Sequence, residues 1–185
     1  MSITPDVSIP EDGLTGNWVC GGQIDAATLK NTAGAFPSGV TIITATSGST
    51  PVGLTISSFA SVSIDPPLLL VCVARTAGSL PAFRAGGPMG INILASDQSW
   101  LARRFASRHD DRFAGVDYTL GPHGVPLLSG VSAWMDCHIA RIYDGGDHVI
   151  ILTRVHSVHR SDAKPLLYHS GAMYDWVQTA TESTT

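Results

Sequence analysis

The stretch from Phe36 to Pro67, FPSGVTIITATSGSTPVGLTISSFASVSIDPP, constrains this chain more than any other. Val40 to Thr46 is dense in β-branched residues, which lose little χ1 freedom on a pleated surface, so it predicts a buried strand. Ser47-Gly48-Ser49-Thr50-Pro51 is a cluster of turn formers, and beyond it Val52 to Val62 resumes extended chain. This second run sets Thr55, Ser57, Ser58 and Ser61 among Leu54, Ile56, Phe59 and Val62. A strand that served only the core would not need so many hydroxyls. Their density suggests a rigid sheet that presents backbone and hydroxyl groups to a flat, polar ligand.

The remaining elements follow from periodicity and punctuation. Asp25 to Phe36 predicts a helix that ends before Pro37, with an acidic start and Leu29, Ala33 and Phe36 near helical spacing. Leu68 to Ala74 is a continuous apolar run, the pattern of a strand buried on both faces. Ser79 to Ala85 predicts a short helix with Ser79 as its cap and Pro81 in the first turn, broken by Gly86-Gly87-Pro88. Gly90 to Ala95 is another strand, and Asp97 to Ser107 a short amphipathic helix with Leu101 and Phe105 four apart. Residues 110–128, rich in Gly, Pro and charge, predict a long excursion with at most short pieces of structure. Ala133 to Tyr143 and His148 to Val158 alternate as two strands, joined by Asp144-Gly145-Gly146-Asp147. Many strands separated by turns, with few short helices, favour a mainly antiparallel β fold over a doubly wound sheet.

Composition narrows the classes further. A chain of 185 residues is large enough for one domain with its own core. The expected division is a flexible arm over residues 1–24, in which Trp18 and Val19 could dock, a folded domain over 25–176, and a polar tail over 177–185. A net charge of −4 provides no basic field for nucleic acid. Cys20, Cys72 and Cys137 are odd in number and widely spaced, which argues against a disulfide framework or a zinc cysteine set. No apolar run reaches the length of a membrane span, so a cytoplasmic protein without a membrane association is expected. His156 and His159 form HxxH, but on a regular strand positions i and i+3 point to opposite faces, so no shared metal is expected. Ser57 and Ser58 lack the GxSxG setting of a hydrolase nucleophile, and no GxGxxG dinucleotide fingerprint is present.

Downstream motifs give the hydroxyl-rich stretch a context. Asn92 and Leu94 in GINILA, Gln98 and Phe105 in DQSWLARRFAS, and Arg112-Phe113 in DRFAG follow one another in order. Gly146-Asp147-His148 in DGGDH and PLLYHSGAMY from Pro165 to Tyr174 complete the series. Each is weak alone. The ordered set, from Leu29 to Trp176, resembles the flavin reductase family, the small partners of two-component monooxygenases. The resemblance implies an FMN-binding split β-barrel, antiparallel and Greek-key-like, with a few short helices. It implies NAD(P)H-dependent reduction of FMN or FAD, with the reduced flavin passed to a flavin-dependent monooxygenase. It also implies a homodimer with flavin sites near its interface, and a nicotinamide nucleotide (NADH or NADPH) that docks directly over the flavin. That docking removes the need for a separate Rossmann domain.

The same resemblance assigns residues. Pro37, Ser38, Gly39, Thr55, Ile56, Ser57 and Ser58 would line the flavin, whereas their plain reading is turn and strand punctuation. Leu94, Gln98, Phe105, Phe113 and Tyr174 belong to the same expected pocket, with Tyr168 nearby. For the phosphate the candidates are Ser58, Ser79 and Arg112, because a guanidinium forks onto phosphate oxygens and hydroxyls complete the shell. The alternative for Arg112 is an exposed salt bridge with Asp110 or Asp111. Asn92 is expected on a strand facing the flavin, or else as a structural amide bonded to neighbouring loops. His148 would sit close to the nicotinamide in a positioning role rather than as a general acid; its plain reading is an exposed turn histidine. A flavin-binding module that does not turn over nicotinamide remains the alternative from another class. A pyridoxamine-phosphate-oxidase-like enzyme would share the barrel but need motifs that are absent.

Overall fold

The structure is a computed structural model that describes residues 24–108 and 111–175. The expected N-terminal arm, with Trp18 and Val19, the C-terminal tail and Trp176 lie outside these residues. Helix α1 spans Ala26–Gly34 and starts where Asp25 accepts hydrogen bonds from the amides of Ala27 and Thr28. After the two-residue β1 (Ser38–Gly39), strands β2 (Thr41–Ser47) and β3 (Thr50–Ile56) form a hairpin whose turn holds Gly48 at φ +62°. The extended run does not continue unbroken: Ser57 to Phe59 interrupt it before β4 (Ala60–Ser63). Next come β5 (Leu68–Ala74), a single 3-10 turn at Leu80–Ala82, and β6 (Pro88–Ile93). A 3-10 turn at Ser96–Gln98 leads into helix α2 (Ser99–Ala106).

The excursion contains one small hairpin, β7 (Tyr118–Leu120) with β8 (Pro126–Leu128). The long strands β9 (Ala133–Gly145) and β10 (His148–Arg160) follow, then β11 (Leu166–His169) and β12 (Ala172–Asp175). Every ladder is antiparallel. The main sheet has seven strands in the order β3-β2-β6-β9-β10-β5-β4, and β1-β11-β12 form a small second sheet. The chain leaves β5, crosses to pair β6 with β2, and returns through β10 to β5, which is the Greek-key character expected. The two edges of the main sheet, β3 and β4, share no ladder, so the wall stays open.

Both faces of β2 are covered, because successive side chains alternate between two cores. Ile43 joins Met89, Ile91, Val71, Val73, Cys137, Ile139 and Ile151 on one side. Ile42 joins Leu94, Phe105, Leu128 and Leu166 on the other, under α2. Burying Leu101 and Phe105 fastens α2 to the sheet, at about 1.5–3 kcal/mol for each large side chain. Cys137 lies in the first core, and burial pushes its thiol up to about 12.

Two expectations need correction here. β5 is not buried on both faces: Leu69, Val71 and Val73 are buried, while Leu68, Leu70, Cys72 and Ala74 are only half-buried. The second core backs β2 and α2 and contains no residue of β5. The other correction concerns HxxH. The β9–β10 register shifts between Val155 and Ser157, leaving His156 as an extra residue in β10. The bulge restores the face, so His156 packs on His138 while His159 stacks on Trp134, two positions on the same side of β9.

Candidate functional site

Arg112 and Ser79, far apart in the chain, meet at one cleft of about 620 Å3. Arg112 Nη1 donates to the Ser79 hydroxyl at 3.1 Å and to the Gly53 carbonyl at 2.8 Å, and its Nε donates to the Ser107 carbonyl at 3.0 Å. Ser79 does not cap the turn that follows it; its hydroxyl is turned toward Arg112 and Gly53 instead. Gly53 also lets the Phe105 ring pack against β3, since a Cβ there would lie 2.9 Å from that ring. Asp111 does not pair with Arg112. Its carboxylate accepts from the amides of Phe113 and Ala114, and among the described residues Arg112 has no carboxylate partner. Phe113 lines the cleft and packs edge-on against Phe105 at 4.9 Å and Tyr118 at 5.3 Å. The result is a cation and a hydroxyl held by backbone carbonyls at an open, partly apolar wall, a setting suited to a phosphate.

Ser38 and Ser57 come together in a second cleft of about 800 Å3, with Phe36, Tyr168 and Lys30. β1 pairs with β11 there, setting Ser38 opposite Tyr168. Pro37 and Gly39 are exposed beside it. Lys30 is a member that the sequence did not single out, because a lone cation on a short helix carries no signal of its own. Tyr174, on β12, is half exposed and lies 6.5 Å from the His169 ring, outside both clefts.

Several expected flavin contacts are committed elsewhere. Asn92 is fully buried; its amide nitrogen donates to the Ile42 carbonyl at 3.0 Å and its oxygen accepts from the Leu128 amide at 2.8 Å. It faces the packed interior rather than an open slot, so the structural-amide alternative describes it. Gln98 accepts from the Ala95 amide and donates to the Ser129 carbonyl, joining two loops. Leu94 and Phe105 are core residues without exposed surface to offer a ligand. Thr55 donates to the Ala102 carbonyl at 2.8 Å, tying β3 to α2, and Ile56 is buried beside it. Ser58 both donates to the Cys72 carbonyl and accepts from the Cys72 amide, each at 2.9 Å. Its hydroxyl substitutes for a ladder partner of β5, and it does not join Ser79 and Arg112.

His148 opens β10 at the hairpin tip, half exposed, with Nδ1 2.7 Å from Asp147 Oδ1. The bond to His148, then its charge, holds the Asp147 carboxyl below the usual range. An ionised carboxylate only accepts, so Nδ1 carries the proton in this bond, and Nε2 is the ring nitrogen that Asp147 does not engage. Arg75 braces this tip, an arrangement absent from the sequence reading. Its Nε donates to the Gly146 carbonyl at 2.8 Å, its amide donates to the Asp147 carbonyl at 2.9 Å, and Nη2 pairs with Asp144 at 3.0 Å. Only the β5–β10 ladder, which sets His148 opposite Ala74, brings Arg75 there.

Comparison with known proteins agrees with this architecture. The description "Flavin reductase like domain" matches residues 33–177. The chain is 40% identical over 149 residues to the flavin-dependent monooxygenase reductase subunit HsaB of Rhodococcus jostii (strain RHA1), covering 80% of this chain and 76% of that protein. It is 36% identical over 172 residues to the FMN reductase (NADH) SmoA of Agrobacterium fabrum, covering 93% and 96%. A Rhizobium meliloti protein named "Probable flavin reductase" is 41% identical over 151 residues, and the chain spans about half of its length, 49%. Among solved structures, the Streptomyces globisporus C-1027 NADH:FAD oxidoreductase SgcE6, in complex with NAD and FAD fragments, aligns with a TM-score of 0.80. That match has 37% identity and covers 85% of this chain and 96% of the other.

Proposed function

The chain belongs to the flavin reductase-like domain family, and from that premise we propose that it is an NAD(P)H:flavin oxidoreductase serving a separate flavin-dependent monooxygenase. It takes NADH or NADPH and FMN or FAD, and the reduced flavin leaves for the oxygenase. When bound, the flavin supplies the redox chemistry. The protein supplies position. The observation that carries this reading is the Arg112–Ser79 pair: a guanidinium without a carboxylate partner among the described residues, 3.1 Å from a hydroxyl, in an open cleft.

Arg112 and Ser79 hold the flavin phosphate, Phe113 gives that cleft an apolar wall, and Ser38 and Ser57 offer hydroxyls to the ring. His148 orients the nicotinamide through Nε2, the ring nitrogen not engaged by Asp147, with Asp147 and Arg75 fixing the tip. Orientation suffices as a role, because hydride transfer demands close approach of donor and acceptor carbons rather than a strong acid.

The working unit is a homodimer of the domain at 25–176, and the protein is cytoplasmic. Helix α1 has no buried residue, and Leu29 and Phe36 are 60% and 79% exposed beside the Ser38–Ser57 cleft. Exposed apolar side chains on and just after α1 favour a second copy as their cover. No helix among the described residues is long and apolar enough to cross a membrane.

The test combines purified protein with NADH or NADPH and with FMN, FAD, riboflavin or no flavin, following loss of reduced-nicotinamide absorbance. Flavin-dependent turnover is expected; binding without turnover would reduce the protein to a flavin carrier. Arg112→Ala should weaken FMN and FAD by about tenfold or more, the scale of one charge-assisted hydrogen bond, and leave riboflavin nearly unchanged. Equal loss for all three flavins in a variant that still melts like the parent would assign Arg112 to the ring slot or the fold.

A further inference from the structure

We propose that His123, His138 and His156 form a binding site for a single divalent transition-metal ion of the zinc class, with Asp136 as the group that orients His123. The three residues come from the β7–β8 turn, β9 and the β10 bulge. Their rings cluster with centroid separations of 4.4, 4.8 and 5.1 Å. One ring nitrogen from each lies within 4.8 Å of the other two. Tetrahedral zinc with bonds of about 2.0–2.1 Å needs nitrogens about 3.3 Å apart. His123 and His156 are exposed, so modest turns of these two rings close that gap around an ion.

The surroundings are those of a ligand set rather than of a chance cluster. Asp136 is fully buried on β9, and its Oδ1 lies 2.8 Å from His123 Nδ1 while Oδ2 accepts from the His123 amide at 3.0 Å. A carboxylate on Nδ1 fixes the tautomer, presents Nε2 and raises its basicity, the usual support of a metal-bound histidine. His138 Nδ1 is buried and has no hydrogen-bond partner, a polar atom that a metal bond would satisfy. A ligand set of three imidazoles and no carboxylate favours zinc, copper, nickel or cobalt over magnesium or calcium, and leaves a fourth position for water. None of the four residues lines either cleft described above, so the proposal stands independently of the flavin reading. A bound ion would pin the turn carrying His123 to the β9–β10 ladder.

The experiment uses the untagged full chain, freed of metal by a chelator and then dialysed. Calorimetric titration with zinc chloride should show one equivalent per chain, and cobalt(II) should develop the visible absorption of a tetrahedral site. Zinc should raise the melting temperature of the parent but not of His156→Gln, whose exposed side chain can be changed without unfolding the core. Asp136→Asn should weaken zinc by about 10–100-fold, and His159→Gln should leave it unchanged. Absence of stoichiometric binding, or binding that survives in both His156→Gln and His138→Gln, would overturn the proposal and leave three packed imidazole rings without a ligand role. Reductase assays on the same variants separate the two readings, because failure of one leaves the other intact.

Discussion

Arg112 and Asn92 are both polar side chains drawn into the body of the chain, and their surroundings give them opposite roles. Arg112 ends at a cleft, whereas Asn92 is closed in by β2 and β8. Replacing Asn92 with Ala leaves the Leu128 amide and the Ile42 carbonyl facing a void, so urea denaturation should show a loss of about 3 kcal/mol. Flavin affinity of the folded fraction should not change; a large loss of affinity with normal stability would return Asn92 to the flavin shell. His148 lies at the other extreme, half exposed and held through one nitrogen. His148→Ala should lower kcat/KM for the nicotinamide by about tenfold, the worth of one hydrogen bond near 1.4 kcal/mol, while flavin binding persists. Unchanged steady-state kinetics with both nucleotides would remove it from the mechanism.

Among the elements, α1 depends most on its cap, because no residue of the helix is buried. Asp25 holds the first turn through the Thr28 hydroxyl at 2.6 Å and the amides of Thr28 and Ala27 at 2.9 Å each. Those bonds, led by the Thr28 side chain, lower its pKa below the usual aspartate value. The folded pKa therefore lies below the unfolded one, so the cap's contribution is complete above the unfolded value and is lost as pH falls through the folded one. Protection of the amides in Ala26–Gly34, taken relative to the intrinsic exchange rate at each pH, should fall below about pH 4, and Asp25→Ala should show the same loss of protection at neutral pH. Equal protection in parent and variant would mean that another contact, such as a second copy, holds the helix. The β10 bulge works by a different route: one added residue reverses the alternation and brings His156 and His159 to a common face.

For the whole molecule, the proposed two-fold partner would cover the unpaired edges of the seven-stranded sheet and the apolar side chains at α1 that are exposed among the described residues. Val62 and Ile64, at 48% and 87% exposure on and after the edge strand β4, add to the apolar area. Light scattering at low micromolar concentration should give twice the single-chain mass of 19.4 kDa. A fully active species of single-chain mass would refute the dimer. Phe36→Asp should shift the mass toward the monomer and lower flavin affinity with it, since Phe36 lines the same cleft as Ser38 and Ser57.

What the sequence determined by itself was the class of fold and most of its pieces. β-branched alternation, turn clusters and an Asp cap act over a few residues, so β2, the β9–β10 hairpin and α1 are legible without any partner. Residue type alone proposed Ser58, Ser79 and Arg112 for a phosphate, and of these the fold brings Ser79 and Arg112 to one cleft while Ser58 bonds to Cys72. Tertiary structure decided which candidates share a place. Ser58, Asn92, Gln98 and Thr55 carry the same hydrogen-bonding groups as Ser38, Ser57 and Ser79, yet their partners are backbone groups supplied by distant strands and loops. The Arg75 brace and the three-histidine cluster depend on the β5–β10 ladder and on a bulge. A burial pattern records that a side chain is covered, but the identity of the covering atom is a long-range contact, and that is set only when the sheet is assembled.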